Sequence, residues 1–277
     1  MQMAMVIDLQ KCVGCGACAL ACKTENNTQT RARGQSFNWA DFIYKTEGKF
    51  PDVKYAAIPV SCNHCSDPEC MKQCPKPKAL YKTEEGITMF NYRYCIQCKK
   101  CQDDCPYSVR DVEKTKAAYS VISYNEIGVE PNDFYRGKTA LIKGCTSAPS
   151  EVAGKGGVPP HRHAYSFRDD KKSLNPKDSM GRGELKDVRT DGWVEKCNFC
   201  IHRIRKGEKP YCVESCPAGA RTAGNIDDPG SELSRLIKKF KPARLKDNKG
   251  EWLRDSEPGT KPNVYYIRSF KAESQKG

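Results

Sequence analysis

Long apolar runs are missing from this sequence: no stretch of its 277 residues approaches the 18 or more consecutive apolar side chains of a membrane-spanning helix. Apolar residues are scarce altogether, at 38% against 29% charged, and the mean hydropathy is negative. A core made from them alone would be thin, so something besides apolar burial is expected to hold the chain together. No charged segment followed by an apolar one opens the chain. Met1 to Gln10 reads instead as a short strand leading into a cysteine motif, and any work at a membrane or outside the cytoplasm would then depend on a partner. No glycine-rich phosphate loop, pair of acids or nucleophile beside a base stands out either, which points away from an enzyme in its own right.

Cysteine is what the chain has in quantity. Of 17, sixteen fall into four groups of four, and Cys145 is alone. The central stretch, Cys62 to Cys105, reads C-N-H-C-S-D-P-E-C-M-K-Q-C-P, then nineteen residues, then C-I-Q-C-K-K-C-Q-D-D-C-P. Three close thiols followed by a fourth with proline after it is the ligand pattern of a two-cluster ferredoxin, in which the fourth cysteine of each run serves the other run's cluster. Disulfides would predict dispersed spacings in a small secreted chain. Zinc, giving a zinc-rich binding module, would predict two separated ligand pairs. Both fit worse than iron–sulfur clusters, whose metal–thiolate bonds also add the folding free energy the thin core lacks.

Two pairings of the runs are open, tandem (first with second, third with fourth) or nested (second with third, first with fourth). From Cys74 to Cys95 is 21 positions, against 40 from Cys22 to Cys62 and 92 from Cys105 to Cys197. Only the middle gap suits a single hairpin, which favours nesting. Four [4Fe-4S] clusters then follow, held by Cys12, Cys15, Cys18 and Cys216; by Cys197, Cys200, Cys212 and Cys22; by Cys62, Cys65, Cys70 and Cys105; and by Cys95, Cys98, Cys101 and Cys74. Proline after Cys74, Cys105 and Cys216 steers those cysteines out of the α region. Lys23 stands where the first run would have its proline, so the helix there is expected to start differently.

The expected fold is α+β, two nested bacterial-ferredoxin-like units with a long irregular insertion. Residues 1–60 and 190–245 form the outer unit, 61–110 the inner, 111–189 the insertion, read as facing a partner, and 246–277 a C-terminal extension. Strand-like segments at Asp41 to Lys45 and Val53 to Val60, and again at Ala79 to Thr83 and Ile87 to Phe90, predict two hairpins. Tyr119 to Tyr124, Ala140 to Lys143 and Asn263 to Ile267 are further strand candidates, and Leu233, Leu236, Ile237 and Phe240 have the spacing of one helix face. Cys145 is expected to be a buried bystander, and His161 and His163 to be exposed. His64 and His202, inside cysteine runs, are expected to pack or hydrogen-bond beside a cluster. Arg203, Arg205, Lys206 and Lys209 fall near one. The formal charge of +13 is mostly offset once the thiolates carry clusters, so nucleic acid is not needed as a partner.

The order of the runs resembles a known family. C-N-H-C…C-x3-C-P, C-I-x-C-x2-C-x3-C-P-Y and K-C-N-F-C-x-H-R-I…C-V-E-S-C-P-A-G-A-R, with Gly259-Thr260-Lys261-Pro262-Asn263-Val264-Tyr265-Tyr266 near the end, resemble the iron–sulfur electron-transfer subunits of the dimethyl sulfoxide reductase family of molybdopterin oxidoreductases. The opening M-V-I-D-x-x-K-C-V-G-C…A-C-K-T-E-N is most similar to the polysulfide, tetrathionate and arsenate reductase branch. The resemblance covers residues 3 to 110 and about 190 to 267. It implies a non-catalytic electron relay beside a molybdenum or tungsten pterin subunit, often with a membrane quinone-binding subunit or a cytochrome, and a periplasmic or membrane-associated place reached by co-export with a signal-bearing partner, a cytoplasmic complex being the alternative. Nitrate-reductase-like relatives carry tryptophan where Cys98 stands, so four [4Fe-4S] clusters are implied here, not three and a [3Fe-4S]. The same relay in a hydrogenase or quinone-linked cytochrome complex is the alternative.

Overall fold

Met3–Asp8 is a run of five apolar residues closed by an aspartate, buried along its whole length, and it forms β1. A strand covered on both faces reads as a continuous apolar run. A computed structural model of the chain describes residues 1–26, 28, 38–91, 94–124 and 194–268, and in it β1 is the middle of a three-stranded sheet. Arg221–Asn225 (β8) pairs with it antiparallel, from Met3↔Asn225 to Ile7↔Arg221. Val264–Ile267 (β11) pairs with it parallel, from Met5↔Val264 to Asp8↔Ile267. Segments from the start, the last quarter and the end of the chain thus share one sheet.

Alternation along β1 divides the core. Met3, Met5 and Ile7 join the main cluster of buried residues, whereas Ala4 and Val6 meet Leu233 and Ile267 on the other side. The second side is covered by helix Glu232–Lys239, whose Leu236 and Ile237 pack there with Phe240 just beyond its end, as the spacing predicted. Ser231 caps it, its Oγ accepting from the Ser234 N–H at 3.1 Å.

Ala40–Glu47 (β2) and Lys54–Ser61 (β3) form the first expected hairpin, registered from Ala40↔Ser61 to Glu47↔Lys54. Gly48 turns it at φ 89°, and a Cβ there would lie 2.1 Å from the Asp52 carbonyl oxygen. Leu80–Lys82 (β4) and Thr88–Phe90 (β5) form the second. The segment read as the start of the insertion is built into the fold: Asp111 caps helix Val112–Thr115 and Ile122–Tyr124 (β6) pairs with Val194–Lys196 (β7), while Tyr119, Val121 and Ile122 enter the main core. Arg244–Leu245 (β9) and Trp252–Leu253 (β10) form a small ladder before β11. Cys145, His161, His163, the Ala140 to Lys143 strand and residues 125–189 of the insertion lie outside the described residues.

The thiols ride on short helices. Ala17–Asn26 (α1) carries Cys18 and Cys22, Glu69–Lys72 (α2) carries Cys70, and Lys100–Asp103 (α3) carries Cys101. With Val112–Thr115 as α4, Ile201–Ile204 (α5) follows Cys200 directly and Tyr211–Glu214 (α6) carries Cys212; the capped helix Glu232–Lys239 is α7. Three of these helices stop before a Cys-Pro pair, since the residue before proline resists the α conformation. Without proline, α1 runs on through Cys22 to Asn26. Helix α1 packs on α6, and α2 on α3.

Candidate metal centres

Each run opens with C-x-x-C, and in all four the third residue is left-handed: Gly14 at φ 69°, His64 at 43°, Gln97 at 61° and Phe199 at 56°. For a side chain other than glycine that conformation costs about 1–2 kcal/mol, so three of the loops hold it against a local preference. The turn aims amide hydrogens back at sulfur. The Gln97 N–H donates to Cys95 Sγ at 3.4 Å, and the Phe199 N–H to Cys197 Sγ at 3.3 Å. At Gly14 a Cβ would meet Ala57 Cβ at 2.7 Å, so glycine is required there for room as well.

Thiols of different runs are brought together. Cys62, Cys65, Cys70 and Cys105 line one pocket, with Tyr107 and Thr260 beside them. Cys74, Cys95, Cys98 and Cys101 line another, with Leu80, Phe90 and Val194. Each pocket takes three sulfurs from one run and the fourth from the other. Around the first and fourth runs, burial pushes Cys22 well above the ordinary thiol range and the charges of Cys197, Cys200 and Cys212 push it further. Burial likewise raises Cys12, with Cys18 and Cys216 adding to it. Neighbouring sets touch electrostatically: Cys101 feels Cys70, Cys197 feels Cys62, and Cys212 feels Cys18. These contacts lead from the second pocket to the first, from the first to the fourth run, and from the fourth run to the first run. Among the described residues the exposed thiols are Cys98, in the second pocket, and Cys15, in the first run.

These surroundings fit iron–sulfur clusters. Burial first, then neighbouring thiols, pushes Cys70 up to about 11 and Cys65 and Cys197 to about 12, and raises Cys105 and Cys200 well. Burial makes free thiolates costly at such positions, and a strongly positive core bound to them offsets that cost. Three cations are sunk among them. Arg221 approaches Met5 Sδ at 3.4 Å and Cys212 Sγ at 4.0 Å, and its Nη2 has no hydrogen-bond partner. Lys82 Nζ donates to the carbonyls of His64, Cys65 and Gly86 at 3.1, 2.5 and 2.9 Å. Lys196 Nζ donates to those of Thr88 and Cys197. None of the three has a carboxylate partner among the described residues. A buried charge left uncompensated costs several kcal/mol, and anionic thiolates around a metal core would compensate it. Among the described residues no group of three or more His, Cys, Asp or Glu is close-set enough for one metal ion.

Several contributors were not legible in the motifs. Thr260 Oγ1 donates to Cys65 Sγ at 3.0 Å, the Ala220 N–H to Cys216 Sγ at 3.3 Å, and Asn26 Nδ2 lies 3.6 Å from Cys22 Sγ. His64 is buried with its ring edge against Phe199, centroids 5.2 Å apart, and burial together with Lys196 and Lys82 holds it well below the usual imidazole range. His202 Nε2 meets Glu25 Oε1 at 2.5 Å. Two of the basic residues expected near a cluster are engaged with carboxylates instead: Arg203 with Glu25, Glu208 and Glu214, and Arg205 with Glu85. Lys206 and Lys209 are exposed.

Comparison with known proteins bears on this geometry. A model of a 4Fe-4S dicluster domain matches residues 53–134 and 184–226, and one of a 4Fe-4S binding domain matches residues 3–24. The chain is 41% identical, over 98% of its length and 97% of the relative's, to the arsenate respiratory reductase iron-sulfur subunit ArrB of Shewanella sp. (strain ANA-3). It is 31% identical to a selenate reductase subunit of Mesobacillus selenatarsenatis, over 96% and 72% of the two chains. It is 30% identical to the iron-sulfur subunit of a putative dimethyl sulfoxide reductase of Halobacterium salinarum, over 95% and 78%.

Proposed function

Because the chain belongs to the iron–sulfur electron-transfer subunits of the dimethyl sulfoxide reductase family of molybdopterin oxidoreductases, nearest the polysulfide, tetrathionate and arsenate reductase branch, we propose that it is a four-cluster relay. In this reading it joins a molybdenum or tungsten pterin subunit to a membrane quinone-binding subunit or a cytochrome. Its two ferredoxin-like units are nested, and each of the four crossed cysteine sets holds one [4Fe-4S] cluster. Such a cluster, when bound, supplies one-electron transfer. The chain's part is to hold, order and insulate. Cysteines fix four adjacent positions, the left-handed turns direct N–H groups at sulfur, and the core of β1, β5 and β7 residues keeps water from the inner sets.

The observation that carries the reading is the chain of contacts between thiols of different runs, with the exposed thiols among the described residues at its two ends. A relay needs neighbours close inside and partners outside, and Cys98 and Cys15 are placed for that. The test is metal content and spectroscopy of the purified complex. Sixteen irons with matching acid-labile sulfide per chain, and co-purification of a pterin-containing subunit, are the expected result. Fifteen irons would sink the assignment of four [4Fe-4S] clusters, and a colourless, zinc-loaded protein would sink the relay.

A further inference from the structure

Two of the three cations are buried and stand at boundaries between neighbouring cysteine sets. Arg221 is 4% exposed, on β8 opposite Ile7. Burial works against its charge, and the thiols of Cys212 and Cys18 outweigh that. Cys212 belongs to the Cys197 set and Cys18 to the Cys12 set, so the guanidinium serves both. Lys196 is 2% exposed and precedes Cys197 on β7. Its Nζ donates both to the carbonyl of Cys197 and to that of Thr88, a residue lining the pocket of Cys62, Cys65, Cys70 and Cys105. It therefore faces the Cys197 and Cys62 sets together. Lys82 donates to the carbonyls of His64 and Cys65, within the second run.

A cation kept only to tie strands together would have a carboxylate, or acceptors for all its hydrogens. Arg221 has neither, for its Nη2 is buried without a partner and its other close contacts are sulfur atoms. In a medium of low dielectric a fixed positive charge favours added negative charge on whatever lies beside it, and net charge is among the levers on cluster potential. One cation shared by two sets raises both together and puts no step between them.

We propose that Arg221 and Lys196 are positioning residues that set redox potentials in overlapping pairs, Arg221 for the Cys12 and Cys197 sets and Lys196 for the Cys197 and Cys62 sets. The inference rests on the four-cluster reading. That reading stands or falls on the iron count of the unsubstituted protein, whereas this one is decided by potentials.

The experiment is a redox titration of the complex followed by electron paramagnetic resonance, with signals assigned through Cys→Ser variants of each set's fourth ligand. Arg221→Met is expected to lower the Cys12 and Cys197 potentials, and Lys196→Met the Cys197 and Cys62 potentials, each by a tenfold change in the reduced-to-oxidised ratio, about 59 mV for one electron. The Cys95 set should be unmoved in both, and Arg221→Lys and Lys196→Arg should restore the original values. Full iron content with unchanged potentials, or one equal shift of all four sets, overturns the proposal. Should Arg221→Met lose a cluster, Arg221→Gln and Lys196→Met decide by the same criterion.

Discussion

Thr260 and Cys65 are 195 positions apart in sequence and 3.0 Å apart in space, and their hydrogen bond shows what a motif does and does not disclose. The cysteines were legible because iron chemistry demands both the residue type and its spacing. Thr260, Asn26 and Arg221 were not, because a hydrogen bond or a charge at sulfur depends on where the chain returns, which no local pattern encodes. Thr260→Val should cost about 1 kcal/mol of stability, and should lower the potential of the Cys62 set without moving the Cys12 set. Denaturant titration and potentiometry measure the two effects. Cys22→Ser tests the crossing of ligands: the signal of the Cys197 set should change, and that of the Cys12 set should persist. The reverse result would mean that the first run serves only itself.

Both hairpins, β1, α7 and the last strand could be read from periodicity, because each carries its own apolar pattern. Strand β8 could not. Its sequence R-T-A-G-N buries only Arg221 fully, and its conformation comes from the ladder to β1 rather than from its own composition. The pairing of β6 with β7 was equally hidden, since its partners lie on either side of a long interval. Legible elements are also the ones whose energetics follow from burial. Leu233, 1% exposed beneath α7, should cost about 2–5 kcal/mol when changed to Ala. Ser231→Ala at the cap of the same helix should cost about 1 kcal/mol. Thermal or denaturant unfolding would rank the two, and near-equal losses would mean that α7 is held by its end rather than its face.

Across the whole molecule, the first and fourth runs are tied together by the sheet. Strand β11 completes it, and the residues just before it reach the second run: the Asn263 N–H donates to the Asn63 carbonyl at 2.9 Å, and the Ser66 N–H to that of Lys261 at 2.9 Å. If the ligands cross as proposed, deleting residues 197–277 removes more than one run's worth of metal, and iron should fall below twelve per chain. A value of twelve would show that each run holds its own cluster. The ladder of β6 and β7 has a different consequence. Tyr124 and Val194 are directly opposed, so the two ends of the interval between them meet at one rung. An Asn-Gly turn could close that rung, and a chain shortened in this way should keep its iron. Evolution has the same freedom there. What is spliced between Tyr124 and Val194 can be exchanged without changing the spacing of any cysteine run.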